Sequence, residues 1–489
     1  MTNNLLEKAK SWTRSVLLKF ARKLKTENDK GPVVRNARNL FSREIKIPIV
    51  VSLTFTVIAI CCMFVIGLGV SYKTMLATAI FVAGVVFFIV RTQSVEKAIL
   101  KDNDAVVLIC LLFIIAVLTF QISKEYISPL ASPVSVFTLI ATMLLSLRIG
   151  IMYAVSLSLF VAFLNDMRFD VFLVMLCSSV AVMTNVQNIR RRADFVNVSF
   201  KTIAAAAAVI TVFYFFDKYD ISQFIRNLFY GILNGAFAII LLPVFIPLFE
   251  KLFSRTTNIK LIELSDFNNL LLKRLMLEAP GTYHHSIMTA DIAEQAANVI
   301  DADSLLARVG AYYHDIGKLI KPQYFIENQV SNHNPHDELS PTMSSLILVS
   351  HVKEGVALSK KYNIDNEIIN IIEQHHGTTS IHAFYHRALE QSPETDIENF
   401  RYPGPKPTTK VSAIVMIADS SEAACRSIEE PTVVKIKDMV EKIINNKFID
   451  EQFSNCPITL KDLKAIRDSV ISTLIGIYHA RIEYKDKKE

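Results

Sequence analysis

Charge is what this sequence has least of. Only 20% of its 489 residues are Asp, Glu, Lys or Arg, 51% are hydrophobic, and mean hydropathy is +0.34. A soluble domain carries about 25% charge, so the deficit points to membrane spans and excludes a disordered, collagen-like or disulfide-scaffold chain. Histidine is absent before His284, and all eleven histidines lie at or beyond it. The six cysteines (Cys61, Cys62, Cys110, Cys177, Cys425 and Cys456) form no C-x-x-C pair, and four sit in apolar runs. They read as reduced packing residues. No internal repeat and no low-complexity linker appears, and few runs alternate as strands do. The length allows about three domains.

What charge there is falls unevenly. Residues 1–46 hold twelve Lys/Arg against four Asp/Glu, so the net +6 of the chain belongs to this segment. Leu5, Ala9, Trp12, Val16, Phe20 and Leu24 recur there every three to four residues among lysines and arginines. That pattern predicts a basic amphipathic helix on an anionic membrane surface. Charge-free runs follow at 47–72, 74–90, 105–123, 126–147, 149–164, 171–189, 202–216 and 227–249. A span needs roughly 20 apolar residues, so a domain of about eight helices is expected over 47–249. No small-residue cleavage site accompanies the first run, which is therefore not a signal peptide. Lys/Arg-rich joints (before residue 47, at Arg91–Lys101, at Arg148, at Arg190–Arg192 and after Glu250) alternate with short or charge-balanced ones. The positive-inside rule then places both termini in the cytoplasm of a multi-pass protein of the cell membrane.

Beyond Phe249 the composition becomes that of a helical soluble domain. Leu261–Leu277 reads as a helix joining the two parts, within a connecting segment 250–280. Asp291–Val299, Leu305–Tyr312, Ser344–Val352, Glu367–Gln374 and Thr459–His479 carry helical periodicity, the last with a Thr459/Asp462 capping box. Arg401–Pro407 must be a loop. The fold expected is all-α: a polytopic helical membrane domain followed by an all-helical cytoplasmic domain over 281–489.

The chemistry concentrates in His314-Asp315-Ile316-Gly317-Lys318. Adjacent His and Asp can chelate together, and a carboxylate can give one oxygen to each of two metals, which an imidazole cannot. His285 lies 29 residues earlier and His351 37 later, followed by the pair His375-His376 and by Asp419. Five imidazoles and two carboxylates suit two borderline transition metals such as Fe or Mn better than Ca or Mg. Other polar residues are weaker candidates. His284 should face away from a site holding His285. His336 and Asp337 sit in a polar loop with substrate contact and loop ordering equally open. His382, His386 and His479 read as surface or packing residues. Glu327, Asn328 and Gln329 are candidates to meet a base or ribose edge.

The order H…HD…H…HH…D resembles that of the metal-dependent HD phosphohydrolases. Glu278–Ser286, Tyr312–Lys318, Phe325–Gln329, Asn334–Asp337, Ser350–Lys353 and Ile372–Thr378 are similar to one subgroup, the receptors with seven transmembrane helices and an intracellular HD domain. That resemblance implies hydrolysis of cyclic di-AMP to pApA at a two-metal site. It places His285, His314, Asp315 and Asp419 on one metal, and Asp315, His351, His375 and His376 on the other. Two metals roughly 3.5–4 Å apart acidify a water held between them. Lys318 would lie beside the phosphate and offset charge in the transition state, making Asp315 and Lys318 the catalytic pair. The expected partners are a cyclic dinucleotide, the lipid bilayer and a second copy in a homodimer, with no nucleic-acid polymer. One departure from the family stands out: only Lys73 separates the first two runs, where family members carry a large external domain. Two alternatives remain open, an HD enzyme for another cyclic dinucleotide or nucleotide, and a transporter regulated by a nucleotide-binding HD domain. The Gly-Tyr-Pro signature of the cyclic di-GMP branch is absent after the paired histidines, where Gly377-Thr378-Thr379 follows. The runs carry no central charge of the kind transport uses.

Overall fold

In the computed structural model, the described residues are 103–482 apart from 185, 187–188 and 330–333. The expected basic helix and the first two apolar runs lie outside them. The chain divides into two units, Met1–Cys110 and Leu111–Glu489, and the following concerns the second. Among the described residues there is no strand, only an isolated bridge between Ser380 and Arg401. The fold is all-α.

The six apolar runs within the described residues are all helical. They form α1 (Asn103–Tyr126), α2 (Val134–Leu144), α3 (Leu147–Phe163), α4 (Phe169–Met183), α5 (Asp194–Phe215) and α6 (Ile221–Phe253). Val107–Tyr126, α5 and α6 are long and apolar enough to cross a membrane, and the other three are shorter apolar helices. The helices α5 and α6 start before their charge-free runs because a helix tolerates Lys201 and Arg226 in its first turns. A capping box sets the start of α6: Asp220 accepts from Gln223 N at 2.7 Å while its own amide donates to Gln223 Oε1. Between α1 and α2 a 3₁₀ turn, Pro129–Ala131, is buried although its backbone is irregular. Asn234 of α6 donates to the Leu130 carbonyl at 3.2 Å, supplying the partner that apolar surroundings would otherwise deny. The helices α5 and α6 touch at backbone range. A Cβ on Gly235 would lie 2.8 Å from the Ser199 carbonyl oxygen, so a small residue is needed there.

The joining segment differs from the single helix expected over Leu261–Leu277. It consists of α7 (Asn258–Leu264) and α8 (Leu270–Glu278). The break is polar: Asp266 accepts from the Asn268 amide at 2.8 Å, and Asn269 caps α8 through the Leu271 amide at 3.0 Å. Such side-chain competition for backbone donors ends helices, while the apolar stripe continues through Leu261, Leu264, Leu271 and Leu275, all buried.

The remainder is a helical bundle of α9 (Pro280–Asn298), α10 (Ser304–Tyr313), α11 (Pro341–Lys361), α12 (Asn366–Gln374), α13 (His382–Gln391), α14 (Lys410–Arg426), α15 (Val433–Ile449) and α16 (Leu460–Ile482). Helix α9 is central, packing on α10, α14 and α16. Its buried face is Ala290, Ala293, Ala296 and Ala297, small side chains that bring neighbouring axes close. Arg401–Pro407 is a loop, as its prolines require. The capping box at α16 forms in both directions, Asp462 N to Thr459 Oγ1 at 3.1 Å and Thr459 N to Asp462 Oδ2 at 3.0 Å. Thr459→Ala is expected to cost about 1 kcal/mol locally. First-turn amides of α16 would then exchange with deuterium roughly fivefold faster, and unchanged exchange would count against the cap.

Candidate metal centre

The His/Asp set reaches one buried point from five helices, α9, α10, α11, α12 and α14. In α9, consecutive residues differ by about 100° around the axis, so His285 is buried while His284 is exposed. His314 closes α10, and Asp315 follows where the chain tightens into the 3₁₀ turn Ile316–Ile320. Gly317 passes directly over α11, where a Cβ would stand 1.8 Å from the His351 carbonyl oxygen and 2.5 Å from the Gly355 nitrogen. Only a glycine admits that contact, which seats the His-Asp turn on the helix bearing His351. His375 and His376 end α12, and Asp419 comes from the middle of α14.

Asp315 divides its oxygens between two groups. Oδ2 lies 3.2 Å from His314 Nε2 and 3.6 Å from His285 Nε2, and Oδ1 lies 3.3 Å from His351 Nε2 and 3.6 Å from His375 Nε2. Asp419 Oδ1 is 3.1 Å from His285 Nε2, and its Oδ2 is 3.6 Å from His376 Nδ1. Three imidazoles are oriented by their own helices: Nδ1 of His314, His351 and His375 donates to the carbonyl three residues back, at 2.7, 2.5 and 2.8 Å. Those contacts orient each ring and leave its Nε2 facing inward.

The electrostatics separate the two groups. Burial alone would depress the His314 imidazole, but Asp315 and Asp419 outweigh it and raise it to about 10. Burial likewise disfavours ionised Asp315, yet His314 and Lys318 hold it well below the usual carboxylate range. On the other side burial pushes His375 down to about 4, with Asp315 only partly offsetting it. His376 is also well below its ordinary value, through burial and its neighbour His375. Protons on His285 and His314 thus balance two carboxylates, a role a divalent cation would take over on binding, while His375 and His376 offer neutral lone pairs.

The residues fit two metal ions. Ligand atoms of His285, His314, Asp315 and Asp419 lie within 4.8 Å of one another, as do those of Asp315, His351, His375 and His376. His314 Nε2 and Asp315 Oδ1 are buried without a hydrogen-bond partner, a costly state that coordination would relieve. The site is therefore suited to divalent metals.

All seven residues named from the sequence, and Lys318, come together here. Lys318 Nζ sits 2.7 Å from Asp315 Oδ2 and 2.7 Å from Glu327 Oε1. Glu327 also accepts from Thr282 Oγ1 at 3.1 Å, and Asn328 bonds the Thr282 amide at 3.1 Å and hydroxyl at 2.8 Å. Gln329 bonds Gln323 and Asn334. These three side chains thus spend polar groups within the protein rather than standing ready for a base edge. His336 is buried, with Nε2 2.9 Å from the Tyr324 carbonyl oxygen and its ring against Tyr324 and Phe384, so it orders the loop. Asp337 is exposed, 3.8 Å from Arg387. His382 and His386 are exposed, as expected, while nothing is described of the His479 side chain.

Three neighbours escaped the sequence reading. Glu422, buried, meets His285 Nδ1 and lies one turn beyond Asp419 on α14; an i, i+3 search from Asp419 would have found it. Tyr402 stacks on His376 with centroids 4.2 Å apart at 28°. It is placed by the bridge that pairs its amide with the Thr379 carbonyl at 3.0 Å. Lys447 of α15 is buried, and burial lowers it to about 8 against the pull of Asp419 and Asp450.

An all-helical frame converging five imidazoles and two carboxylates, with one carboxylate shared, defines the site of an HD-domain protein. Residues 282–424 match the HD domain, and residues 72–257 match the family described as 7TM receptor with intracellular HD hydrolase. The chain thus resembles that family over both of its parts. The cyclic-di-AMP phosphodiesterase PgpH of Listeria monocytogenes serotype 1/2a (strain 10403S) is 49% identical over 260 residues, 53% of this chain and 36% of the relative. That of Bacillus subtilis (strain 168) is 46% identical over 256 residues, 52% and 36% respectively. The chain thus spans about a third of the length of these curated relatives. The crystal structure of the L. monocytogenes phosphodiesterase PgpH HD domain in complex with cyclic-di-AMP matches at 50% identity, over 44% of this chain and 100% of that one, with a TM-score of 0.43.

Carboxylates that orient a metal-binding imidazole raise metal affinity about 10–100-fold. Glu422→Gln is expected to weaken Mn²⁺ binding by that factor in calorimetric titration, with the far-ultraviolet dichroism unchanged. Wild-type affinity in the variant would show that Glu422 has no part in the centre.

Proposed function

We propose that this protein is a membrane-bound, metal-dependent phosphodiesterase that opens cyclic di-AMP to the linear dinucleotide pApA. The observation that carries the reading is the division of the Asp315 oxygens between two imidazole groups. The substrate is supported by the relatives named cyclic-di-AMP phosphodiesterase. His285, His314, Asp315 and Asp419 would hold one metal, and Asp315, His351, His375 and His376 the other, with Fe or Mn suited to such donors. When bound, the two ions would acidify a water and clamp the phosphate. The chain's own residues do the rest. Asp315 and Asp419 stay ionised, and three imidazoles are locked to backbone carbonyls, so the ligand set pays little reorganisation on loading. Lys318 is kept charged by Asp315 and Glu327 although burial opposes it, which leaves a fixed cation beside the shared carboxylate to offset charge on the phosphate. Tyr402, over His376, offers an aromatic face at the edge of the site. All seven proposed ligands come from one chain, so the expected homodimer is not needed to complete the centre.

The same reading places residues 1–46 and the HD domain (281–489) in the cytoplasm, with eight spans over 47–249 and a connecting segment at 250–280. A cysteine beside Lys124 would then react with an impermeant thiol reagent from outside, in a background lacking reactive native cysteines. One beside Arg191 would not, and the reverse pattern would overturn the topology.

Purified protein incubated with cyclic di-AMP or cyclic di-GMP, in Mn²⁺ and in chelator, tests the reaction. Hydrolysis is expected in Mn²⁺ alone, with cyclic di-AMP favoured at least about tenfold, since each buried polar group left unpaired by the wrong base costs roughly 1–3 kcal/mol. Asp315→Ala and His314→Ala should both reduce turnover to background while folded, Asp315→Ala losing both metals and His314→Ala retaining the second. Normal turnover by either variant would sink the two-metal assignment, and equal kcat/KM for the two dinucleotides would sink the substrate.

A further inference from the structure

A cavity of about 620 Å³ lies between the membrane helices and the HD domain, within the roughly 300–1,000 Å³ range of small-molecule sites. Its apolar lining is Leu242, Pro243 and Ile246 of α6, Phe195 of α5, and Ile369 of α12. Its cations are Arg192, Lys251, Lys260 and Lys360. Its three acids are Glu250, Glu263 and Asp365. Glu263 is spent on Arg192 at 3.0 Å, and Glu250 accepts from the Thr257 hydroxyl. Asp365 is raised from its ordinary value by burial, only partly offset by Lys260, and its Oδ2 has no hydrogen-bond partner. Three lysines are then left against Glu250 and Asp365, a net positive lining, and Asp365 Oδ2 can accept from a hydroxyl.

The position of the cavity along α6 decides what reaches it. Leu248 and Leu252 are 46% and 61% exposed on the same two turns as Glu250 and Lys251. Helix α6 thus keeps an exposed apolar side at the level where the cavity turns cationic. A ligand there must be apolar toward the bilayer and anionic toward the HD domain.

We propose that this cavity is a binding site for an anionic phospholipid with a hydroxylated head, of the phosphatidylglycerol kind. Its phosphate sits among Lys251, Lys260 and Lys360, a head-group hydroxyl donates to Asp365, and its glycerol and first methylenes lie along Leu242, Pro243 and Ile246. Basic pockets between membrane helices recognise anionic heads in this way. Helix α12 lines the cavity with Asn366 and Ile369 and ends at His375, so the lipid touches the helix that carries two of the proposed metal ligands.

The full chain, reconstituted in nanodiscs of phosphatidylcholine with one-fifth phosphatidylglycerol and then released for native mass spectrometry, tests this. The wild type should retain one phosphatidylglycerol and no phosphatidylcholine. The double variant Lys251→Gln/Lys260→Gln should retain it at least about tenfold less, and Lys251→Arg/Lys260→Arg should restore retention, separating charge from folding. Millimolar glycerol 3-phosphate should not compete. Equal retention of both lipids by the wild type, or unaltered retention by the glutamine variant, would overturn the site. Competition by the soluble phosphate would replace the lipid with a free anion.

Discussion

The buried carboxylate of Asp315 is the group around which the HD domain is arranged. An ionised carboxylate cannot be carried into a protein interior without compensation, because the desolvation penalty is several kcal/mol. Here four helices converge on it, with His314 and Lys318 supplying the positive charge. His314 comes from the end of α10, His285 from α9, His351 from α11 and His375 from α12, all with Nε2 within 3.6 Å of one of its oxygens. The bundle can close around that charge only if each helix delivers its imidazole at the right height. The alanines of α9 and the glycine contact between Gly317 and α11 permit this by letting backbones approach.

A second layer holds the first in place. Lys318 alone would be a poor guarantor of geometry, since a lysine stem has many rotamers. Glu327 fixes its far side, and Thr282 and Asn328 fix Glu327 in turn. The stem also lies near the Phe325 ring, with Nζ 5.0 Å from the centroid. On α14, Glu422 performs the same office for His285 that backbone carbonyls perform for His314, His351 and His375. His285 needs a carboxylate because its Nδ1 is not turned back to its own helix.

Local signals made much of this legible in the sequence. The His314–Lys318 word and the Thr459/Asp462 box each depend on residues a few places apart; the box forms, and the other ligand candidates are brought to the same point as the word. The apolar runs within the described residues are helices for the same reason, although a charge-free criterion missed the first turns of α5 and α6. What stayed hidden depends on contacts that spacing does not encode. Tyr402 reaches His376 only because one bridge turns the chain at Ser380 and Arg401. Lys447 approaches Asp419 from α15, and nothing near it in sequence announces that neighbour. The division of the joining segment into α7 and α8 was readable in principle from Ser265-Asp266-Phe267-Asn268-Asn269. The continuous apolar stripe masked it, because a buried face can persist across a break in the helix.

That break matters for how the two parts of the molecule communicate. A continuous rod from α6 would transmit rotation and translation alike to the HD domain. At about 1.5 Å per residue, the 33 residues of α6 run to roughly 50 Å, beyond a hydrocarbon core of about 30 Å. The helix is therefore longer than that core is thick, and it ends at Phe253. There Ser254 turns the chain with φ near 50°, and α7 folds back so that Glu263 pairs with Arg192 at the start of α5. Tyr313, immediately before the His-Asp pair, donates to the Leu264 carbonyl at 2.7 Å at the end of that same helix. The short α7 is thus clamped at one side to a membrane helix and at the other to the turn bearing Asp315. Between Arg192 and the turn bearing Asp315 there stand α7 and these two hydrogen-bonded contacts.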